Sequence, residues 1–298
     1  MVSISRRDLV MLLLLSAIWG SSFLFMRLAA PIFGPLFLIE LRVASALIVL
    51  LPVYMLRRST DDMRTHWKTI GLIGLGNMAI PFTLIAFATL SISAGLASIL
   101  NATVPFFTAI IAIAFFGQRL VLMTILGLLV GFGGVVLLVL DPESLVAASG
   151  AYLSVGAGLL ASAFYGASIN LVAQRLHGIS GLTITVGGLA SSTLVLLPLA
   201  IWQRPDSWPG PAIWLSVLAL GVLCTGVAYL LFYKLVSNIG PQNAVMTTYL
   251  VPVFSIVWGV TFLGESITLF MVLGGALVLL GVGLTTGKFL QLIRRKHS

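Results

Sequence analysis

Charged residues are scarce in this sequence, and hydrophobic ones dominate it. Only 8% of the 298 residues are charged, against 59% that are hydrophobic. Apolar runs of about 20 residues recur from end to end, and a run of that length matches the hydrocarbon thickness of a bilayer. The composition therefore excludes a soluble protein and predicts an all-α membrane protein.

Long polar segments are also missing, so the connections leave no room for an extramembrane domain. The apolar runs predict ten transmembrane helices at roughly 9–28, 35–56, 69–90, 93–116, 120–140, 150–173, 180–202, 212–235, 240–263 and 267–288. The first run continues without a polar cleavage region, which favours an uncleaved helix over a signal peptide.

Reactive side chains are few and badly placed for catalysis. The one cysteine, Cys224, has no internal disulfide partner, and the histidines are His66, His177 and His297, all in predicted connections. A buried base, a cluster of metal ligands and a phosphate-binding glycine loop are all missing. We therefore predict no catalytic residue, no metal, no cofactor and no enzymatic activity.

Basic residues give the chain a net charge of +8, and their distribution indicates a membrane rather than nucleic acid. On a map of ten helices, thirteen of them fall on one side and two on the other. The cytoplasmic loops of membrane proteins carry such an excess. We predict that both termini are cytoplasmic and that the bilayer, not a polyanion, is the partner of the basic surface.

The two halves of the chain are copies of one another. A shift of 147 residues places Val104-Pro105 on Val251-Pro252 and Gly117 on Gly264. Each copy holds five helices, an odd number, so the two copies must insert with opposite orientation. We predict two inverted five-helix repeats, 1–143 and 144–298.

Three prolines inside predicted helices each leave the carbonyl of a polar residue without its helical donor. The residues with the freed carbonyls and their prolines form three pairs: Asn77 and Pro81, Asn101 and Pro105, Thr248 and Pro252. In hydrocarbon, such carbonyls are tolerated where they face protein or a watery cavity. The pairs predict helix breaks, or gating positions, beside a cavity near the midplane; kinks that serve packing alone are the alternative.

Aromatic residues stand at the same predicted depth. Trp19 precedes a glycine in the first helix, and Tyr165 precedes one at the matching point of the sixth. Tyr229 in the eighth helix and Tyr249 in the ninth complete the set of predicted cavity rings. Burial for packing and lining of a substrate pocket are both compatible with the positions of Trp19 and Tyr165.

Two charges fall within the second helix. Glu40 lies about five residues from the helix start, where we expect it to reach the outer interface. Arg42 is deeper, and we expect carbonyls or water inside the bundle to tether it, because exposure to lipid is costly.

Three motifs indicate a family. WGSSF in the first helix, SAGLASILNATVPFFTAIIAIAFFGQ in the fourth and IGPQNAVMTTYLVPVFSIVWGVTFLGES in the ninth resemble the EamA branch of the drug/metabolite transporter superfamily. The resemblance covers essentially the whole chain. It implies a bacterial inner-membrane carrier whose cavity is lined by helices 1, 3, 4, 6, 8 and 9, with helices 5 and 10 outside. Gln118 departs from the family, which usually has glutamate there.

We therefore expect a secondary transporter that exports small neutral or zwitterionic metabolites by alternating access. Members similar to this chain often export amino acids, which favours substrates with aromatic or apolar side chains. The predicted substrate-binding residues are Trp19, Asn77, Asn101, Tyr165, Tyr229, Thr248 and Tyr249. Efflux of amphipathic drugs or other small metabolites is the alternative, and a receptor or scaffold without transport is a third possibility. No obligate protein partner is implied.

Overall fold

Ten helical rods make up the computed structural model, which describes residues 5–56, 60–118, 121–141, 150–205 and 207–285. We number the rods α1 to α10. Their bounds are α1 Arg6–Phe33, α2 Pro35–Leu56, α3 Thr60–Gly74 with Leu75–Ala79 and Ile80–Ala88, α4 Ala94–Asn101 with Val104–Phe116, α5 Leu122–Val139, α6 Ala151–Arg175, α7 Gly181–Trp202, α8 Pro211–Leu218 with Ala219–Val227 and Ala228–Ile239, α9 Pro241–Ala244 with Thr247–Leu263, and α10 Leu269–Thr285. The all-helical fold class is confirmed.

Most rods are long enough to cross a bilayer. Eight apolar helices have the required length, and the described parts of α9 and α10 are shorter apolar helices. The rod α3 begins about nine residues before its predicted start, because its helical hydrogen bonding continues into the polar stretch before the apolar run. Its backbone leaves helical geometry only at His66 (φ −113°, ψ 15°).

Equivalent rods run antiparallel, which shows that the repeats are inverted. Gly127, early in α5, faces Gly281, late in α10, and Gly134 faces Gly274 at the opposite ends of the same pair. A Cβ at Gly127 would lie 2.6 Å from the carbonyl oxygen of Gly281, and one at Gly134 would lie 2.6 Å from that of Gly274. The shift of 147 residues exchanges these two contacts, as a two-fold axis between α5 and α10 requires.

Glycines also bring α1 onto α9 and α6 onto α4 in matching ways. A Cβ at Gly20 would lie 2.8 Å from the Cβ of Phe254, and one at Gly166 would lie 3.1 Å from the Cβ of Phe107. Small residues at such crossings let helix backbones approach closely in membranes.

Two equivalent serine hydrogen bonds also join α1 to α9 and α6 to α4. The Ser16 hydroxyl on α1 donates to the carbonyl oxygen of Thr247 at 3.3 Å, and the Ser162 hydroxyl on α6 donates to that of Leu100 at 3.0 Å. Leu100 and Thr247 are equivalent under the shift of 147. The two repeats therefore exchange the same contacts in both directions, and each depends on the other for its packing.

Some predictions lie outside the described residues. The boundary between 143 and 144 falls in the range 142–149, and the predicted cytoplasmic ends fall partly in 1–4 and 286–298. The domain division and the side of the termini therefore stay predictions.

Candidate functional site

Each repeat carries one widened helical segment at the same place. A π-helix covers Leu75–Ala79 in α3, and a longer one covers Ala219–Val227 in α8. The shift of 147 places 75–79 on 222–226, inside the second segment. Such i→i+5 turns are rare and occur mostly as single turns, frequently at functional sites.

The two π-helices have different causes in the sequence. In α3 the widened turn precedes Pro81, whose ring nitrogen has no hydrogen to donate to the carbonyl of Asn77. The backbone instead joins the Ile80 nitrogen to the carbonyl oxygen of Leu75. In α8 no proline follows the widened segment, since Pro211 stands at the start of the rod, so the sequence does not predict this second π-helix. Ala228 stands where α3 has its proline.

Four rings from four different rods form two ring contacts just after these π-helices. Trp19 on α1 lies 6.4 Å from Tyr229 on α8, and Tyr165 on α6 lies 6.4 Å from Phe82 on α3, measured between ring centroids. Trp19 corresponds to Tyr165, and Tyr229 corresponds to Phe82, so one contact is the two-fold copy of the other. We call Trp19, Phe82, Tyr165 and Tyr229 the central aromatic cluster.

Three of these four rings are only half-buried. Trp19, Tyr165 and Tyr229 retain intermediate exposure although each packs against the hydrophobic core. Their rings are therefore not fully covered by the surrounding side chains. Aromatic surface of this kind is typical of the lining of small-molecule sites.

Arg42 lies beside the central aromatic cluster. Nothing in the sequence had assigned Arg42 to the candidate site. The guanidinium carbon stands 3.7 Å from the centroid of the Phe82 ring, a cation–π contact. Its Nε donates to the Thr225 hydroxyl at 3.0 Å, and Nη1 lies 3.6 Å from the sulfur of Met26. The predicted tether through carbonyls is replaced by a threonine hydroxyl and a ring face.

The π-helix of α8 supplies that hydroxyl. Thr225 lies inside the segment, and its Oγ1 also donates to the carbonyl oxygen of Leu220, five residues earlier, at 3.0 Å. A hydroxyl that donates to its own backbone can still accept the hydrogen bond from Arg42. The only sequence signal for this arrangement was the presence of an arginine deep within an apolar helix.

The other predicted substrate residues are distributed around this centre. Asn77 is half-buried in the π-helix of α3, one turn before Phe82. Asn101 ends the first half of α4, and its buried Oδ1 has no hydrogen-bond partner among the described residues. Thr248 is exposed and donates to the carbonyl oxygen of Val245 at 2.7 Å, in its own rod.

The two remaining tyrosines of this region are Tyr249 and Tyr233. Tyr249 is half-buried and packs against the hydrophobic core. Tyr233 stacks on Tyr229 at 6.0 Å and donates from its hydroxyl to the carbonyl oxygen of Gly181 at 2.8 Å. That bond joins α8 to the start of α7.

The three prolines lie in different local structures. In α4 the helix stops at Asn101 and resumes at Val104, so Pro105 stands in the first turn of the second half. In α9 the turn falls earlier, at 245–246, and the helix Thr247–Leu263 continues through Pro252. Pro252 is buried and Pro105 is half-buried. The two repeats therefore interrupt their equivalent rods at different points.

Two glutamates have distinct environments. Glu40 is buried, at 6% exposure, and its Oε2 has no hydrogen-bond partner among the described residues. The expectation that it reaches the outer interface is wrong, because α2 packs this face into the bundle. Glu265 accepts from the backbone nitrogen of Ala94 at 2.8 Å and so caps the first half of α4.

Metal ligands do not gather in the part of the chain that the structure describes. No group of three or more His, Cys, Asp or Glu side chains there could hold an ion. The chemistry available at the centre is therefore that of aromatic faces, hydroxyls, an amide and one guanidinium, which can bind a small molecule.

Comparisons with known proteins identify the family that has this architecture. The model of the EamA-like transporter family matches residues 7–140 and 153–287. An uncharacterized transporter of Archaeoglobus fulgidus is 26% identical, with 94% of this chain and 97% of that protein aligned. A probable terminal-alkyne amino-acid exporter of Streptantibioticus cattleyicolor is 25% identical, with 94% and 93% aligned.

A solved crystal structure has the same fold. It shares 18% sequence identity and superposes with a TM-score of 0.67 over 98% of this chain and 99% of that chain. The two family matches each cover one five-helix repeat and together span most of the sequence. The predicted resemblance is thereby confirmed: the chain is a transporter that belongs to the EamA-like family of the drug/metabolite transporter superfamily.

Proposed function

We propose that this protein exports a small neutral or zwitterionic metabolite, an amino acid with an aromatic or apolar side chain, by alternating access. The observation that carries the proposal is the two-fold pair of ring contacts in the central aromatic cluster, at 6.4 Å in each case. A site on the axis between inverted repeats is where rocking of one repeat against the other exposes it to each side in turn.

Aromatic faces and polar acceptors suit the two ends of such a substrate. The rings of Trp19, Tyr165 and Tyr229 would contact the apolar body, since large rings make extensive contact at a small entropic cost. The unpartnered Oδ1 of Asn101 would accept a hydrogen bond from the ammonium group. Asn77, Thr248 and Tyr249 stay candidates for contacts that form during transport.

An asymmetry between α4 and α9 supports alternating access. At one end, the Ser255 hydroxyl on α9 donates to the carbonyl oxygen of Ala94 at 3.0 Å. The equivalent pair at the other end is Thr108 and Pro241, and there the Thr108 hydroxyl bonds instead to Val104 in its own helix at 2.8 Å. Among the described residues, one junction between the repeats is thus bonded where its copy is not, a difference that we expect of a carrier closed on a single side.

The basic excess supports insertion in the bacterial inner membrane with both termini in the cytoplasm. Under that orientation, the bonded junction of Ala94 and Ser255 lies toward the outside and the unbonded one toward the cytoplasm. The conformation would then accept substrate from inside, in keeping with export.

The proposal is tested by substrate flux in proteoliposomes. Trp19→Ala and Asn101→Leu should each reduce counterflow of phenylalanine at least fivefold, while the purified protein stays monodisperse. Phe115→Ala is the matched control, because that ring on α4 is 78% exposed on the bundle exterior and should leave flux unchanged. Wild-type flux in both site variants would remove these residues from the site.

Efflux of amphipathic drugs is the second candidate, because the cluster is largely apolar. The guanidinium of Arg42, which lies over the Phe82 ring of this cluster, disfavours lipophilic cations. Competition between phenylalanine and a lipophilic cation such as tetraphenylphosphonium should show inhibition of flux by unlabelled aromatic amino acids alone. Stronger inhibition by the cation would favour the drug-efflux function.

A further inference from the structure

The Arg42 side chain is a buried cation with no anionic partner in the described part of the protein. It is 5% exposed and lies about 10 Å along α2 from the start of that rod. Its described polar contacts are the Thr225 hydroxyl and the Met26 sulfur, both uncharged. A buried charge of this kind is costly unless another group compensates it.

The guanidinium still has hydrogen-bond donors available. It carries five N–H groups, and the two described bonds use one from Nε and one from Nη1. Its Nη2 has no acceptor among the described residues. A carboxylate suits these donors, because its two oxygens match the planar fork of an arginine in a bidentate pair.

Arg42 lies next to the aromatic residues that are proposed to contact the substrate. One face of the guanidinium is covered by Phe82, at 3.7 Å. Phe82 in turn contacts Tyr165, with 6.4 Å between the ring centroids, and Thr225 lies one helical turn before Tyr229 on α8. A carboxylate held by Arg42 would therefore place the rest of its molecule against the rings of the central aromatic cluster.

The fold does not need this charge, as the other repeat demonstrates. Helices α7 and α3 form the copy of the interface between α2 and α8. The contacts of Gly221 and Gly74 match α2 to α7 with a shift of 146 residues, so Gly188 occupies the position of Arg42. Met78 occupies the position of Thr225, and its sulfur would lie 3.4 Å from a Cβ on Gly188. An interface of the same shape is thus packed with a glycine and a thioether.

We propose that Arg42 binds the carboxylate of the transported molecule. The substrate class is accordingly a carboxylate with an aromatic or apolar body, which includes the amino acids of the proposed function on which this inference rests. Thr225 is a positioning residue, since it holds Nε and leaves the other edge of the guanidinium available. Carboxylate-free analogues of the same shape should bind poorly.

The test uses matched ligands and two independent readouts on the full-length protein. Phenylalanine and phenylalaninamide differ in the carboxylate, and phenylacetate and phenylacetamide repeat the comparison without the amino group. Thermal stabilisation in detergent measures binding, and counterflow in proteoliposomes measures transport. We expect both carboxylates to stabilise the wild-type protein and phenylalanine to exchange at least tenfold faster than its amide.

Variants at Arg42 separate binding from folding. Arg42→Gln should abolish stabilisation by both carboxylates and reduce phenylalanine exchange at least tenfold. Arg42→Lys keeps the charge without the fork and should raise the half-saturating phenylalanine concentration severalfold, which provides a measurement if the glutamine variant does not fold. Arg27→Gln is the matched control, because that arginine donates to the carbonyl oxygen of Thr89 and lies outside the cluster.

The outcomes distinguish the carboxylate site at Arg42 from the proposed transport function. Equal stabilisation by carboxylates and amides, or carboxylate stabilisation that persists in both Arg42 variants, overturns the carboxylate site whatever the fluxes are. Carboxylate-selective stabilisation that Arg42→Gln removes, without exchange of any amino acid, supports the site and contradicts the proposed function.

Discussion

Two copies of one helix interface pack alike and differ in polarity. In the first copy, α2 meets α8 at Gly221. A Cβ at Gly221 would lie 3.0 Å from the carbonyl oxygen of Arg42 and would also contact the Ser45 hydroxyl. Beside this contact, the guanidinium of Arg42 bonds to the Thr225 hydroxyl at 3.0 Å.

In the second copy, α7 meets α3 at Gly74. A Cβ at Gly74 would lie 2.6 Å from the carbonyl oxygen of Gly188 and 2.6 Å from the Ser191 hydroxyl oxygen. The glycine, the carbonyl and the serine thus recur, while Gly188 and Met78 replace the arginine and the threonine. Duplication has kept the backbone contacts, and the cation has survived or arisen on one side only.

The comparison separates what the fold needs from what a ligand needs. Close glycine contacts are present in both copies, so we assign them to packing. The guanidinium is present in one copy, next to rings that are present in both, so we assign it to recognition. A symmetric scaffold therefore surrounds an asymmetric site, which can hold a molecule with one charged end in a single orientation.

The largest effect should come from filling the tighter of the two glycine contacts. Gly74→Leu places a side chain against backbone atoms of Gly188, which cannot rotate away. Overpacking commonly costs about 1–3 kcal/mol, and two opposed backbones place this site at or above that range. We expect aggregation on size-exclusion chromatography in detergent.

Gly133→Leu on α5 is the matched control for that substitution. No atom lies within 4 Å of a Cβ at this position, so the variant should elute as the wild-type protein does. A monodisperse Gly74→Leu variant would show that the two rods can separate. It would contradict the assignment of the close glycine contacts to packing.

The next effect comes from giving the first interface the side chains of the second. The double variant Arg42→Gly with Thr225→Met copies the pair of Gly188 and Met78. We expect a folded protein whose phenylalanine counterflow falls at least tenfold, because the packing is preserved and the cation is lost. Ser45→Ala, which changes the same interface without touching the guanidinium, should keep flux within twofold of wild type. Undiminished flux in the double variant would assign Arg42 to packing.

The smallest effect should come from the other charge on α2. Glu40 is buried where the second repeat has the buried Val186, so it too is asymmetric. A proton-coupled carrier normally needs a titratable group at membrane depth, and Glu40 is the nearest to one. We infer movement down the substrate gradient and expect less than a twofold change in flux for Glu40→Gln, with or without an imposed pH gradient. Uptake that a pH gradient alone drives, and that this variant abolishes, would establish coupling through Glu40.

Much of the fold followed from the sequence because apolar length and internal repetition are strong signals. The ten rods and their inversion needed only run lengths and an odd count per copy. The pairing of Trp19 with Tyr165 also followed from the repeat. Pro105 marked the interruption of α4 because a proline cannot continue the ladder of its own helix.

The remaining features depend on contacts between distant residues. The π-helix of α8 has no proline to announce it, and the turn at 245–246 in α9 does not match the break in α4. The Arg42 side chain joins the site through its contacts with Phe82 on α3 and Thr225 on α8, which are distant from it in the sequence. Helix periodicity and internal repeats do not predict such tertiary contacts. We have no physical account of why α9 turns early.

The most direct measurement asks whether water and substrate reach the centre of the bundle. Ser21 is half-buried on α1, two residues after Trp19, and its hydroxyl lies 3.4 Å from the sulfur of Cys224. Exchanging the two side chains, Ser21→Cys with Cys224→Ser, places one thiol on α1, two residues after Trp19. The rate of its modification by a water-soluble, charged thiol reagent should be measurable and should fall at least threefold in saturating phenylalanine. No modification, or an unchanged rate with substrate, would contradict a central, water-accessible binding site.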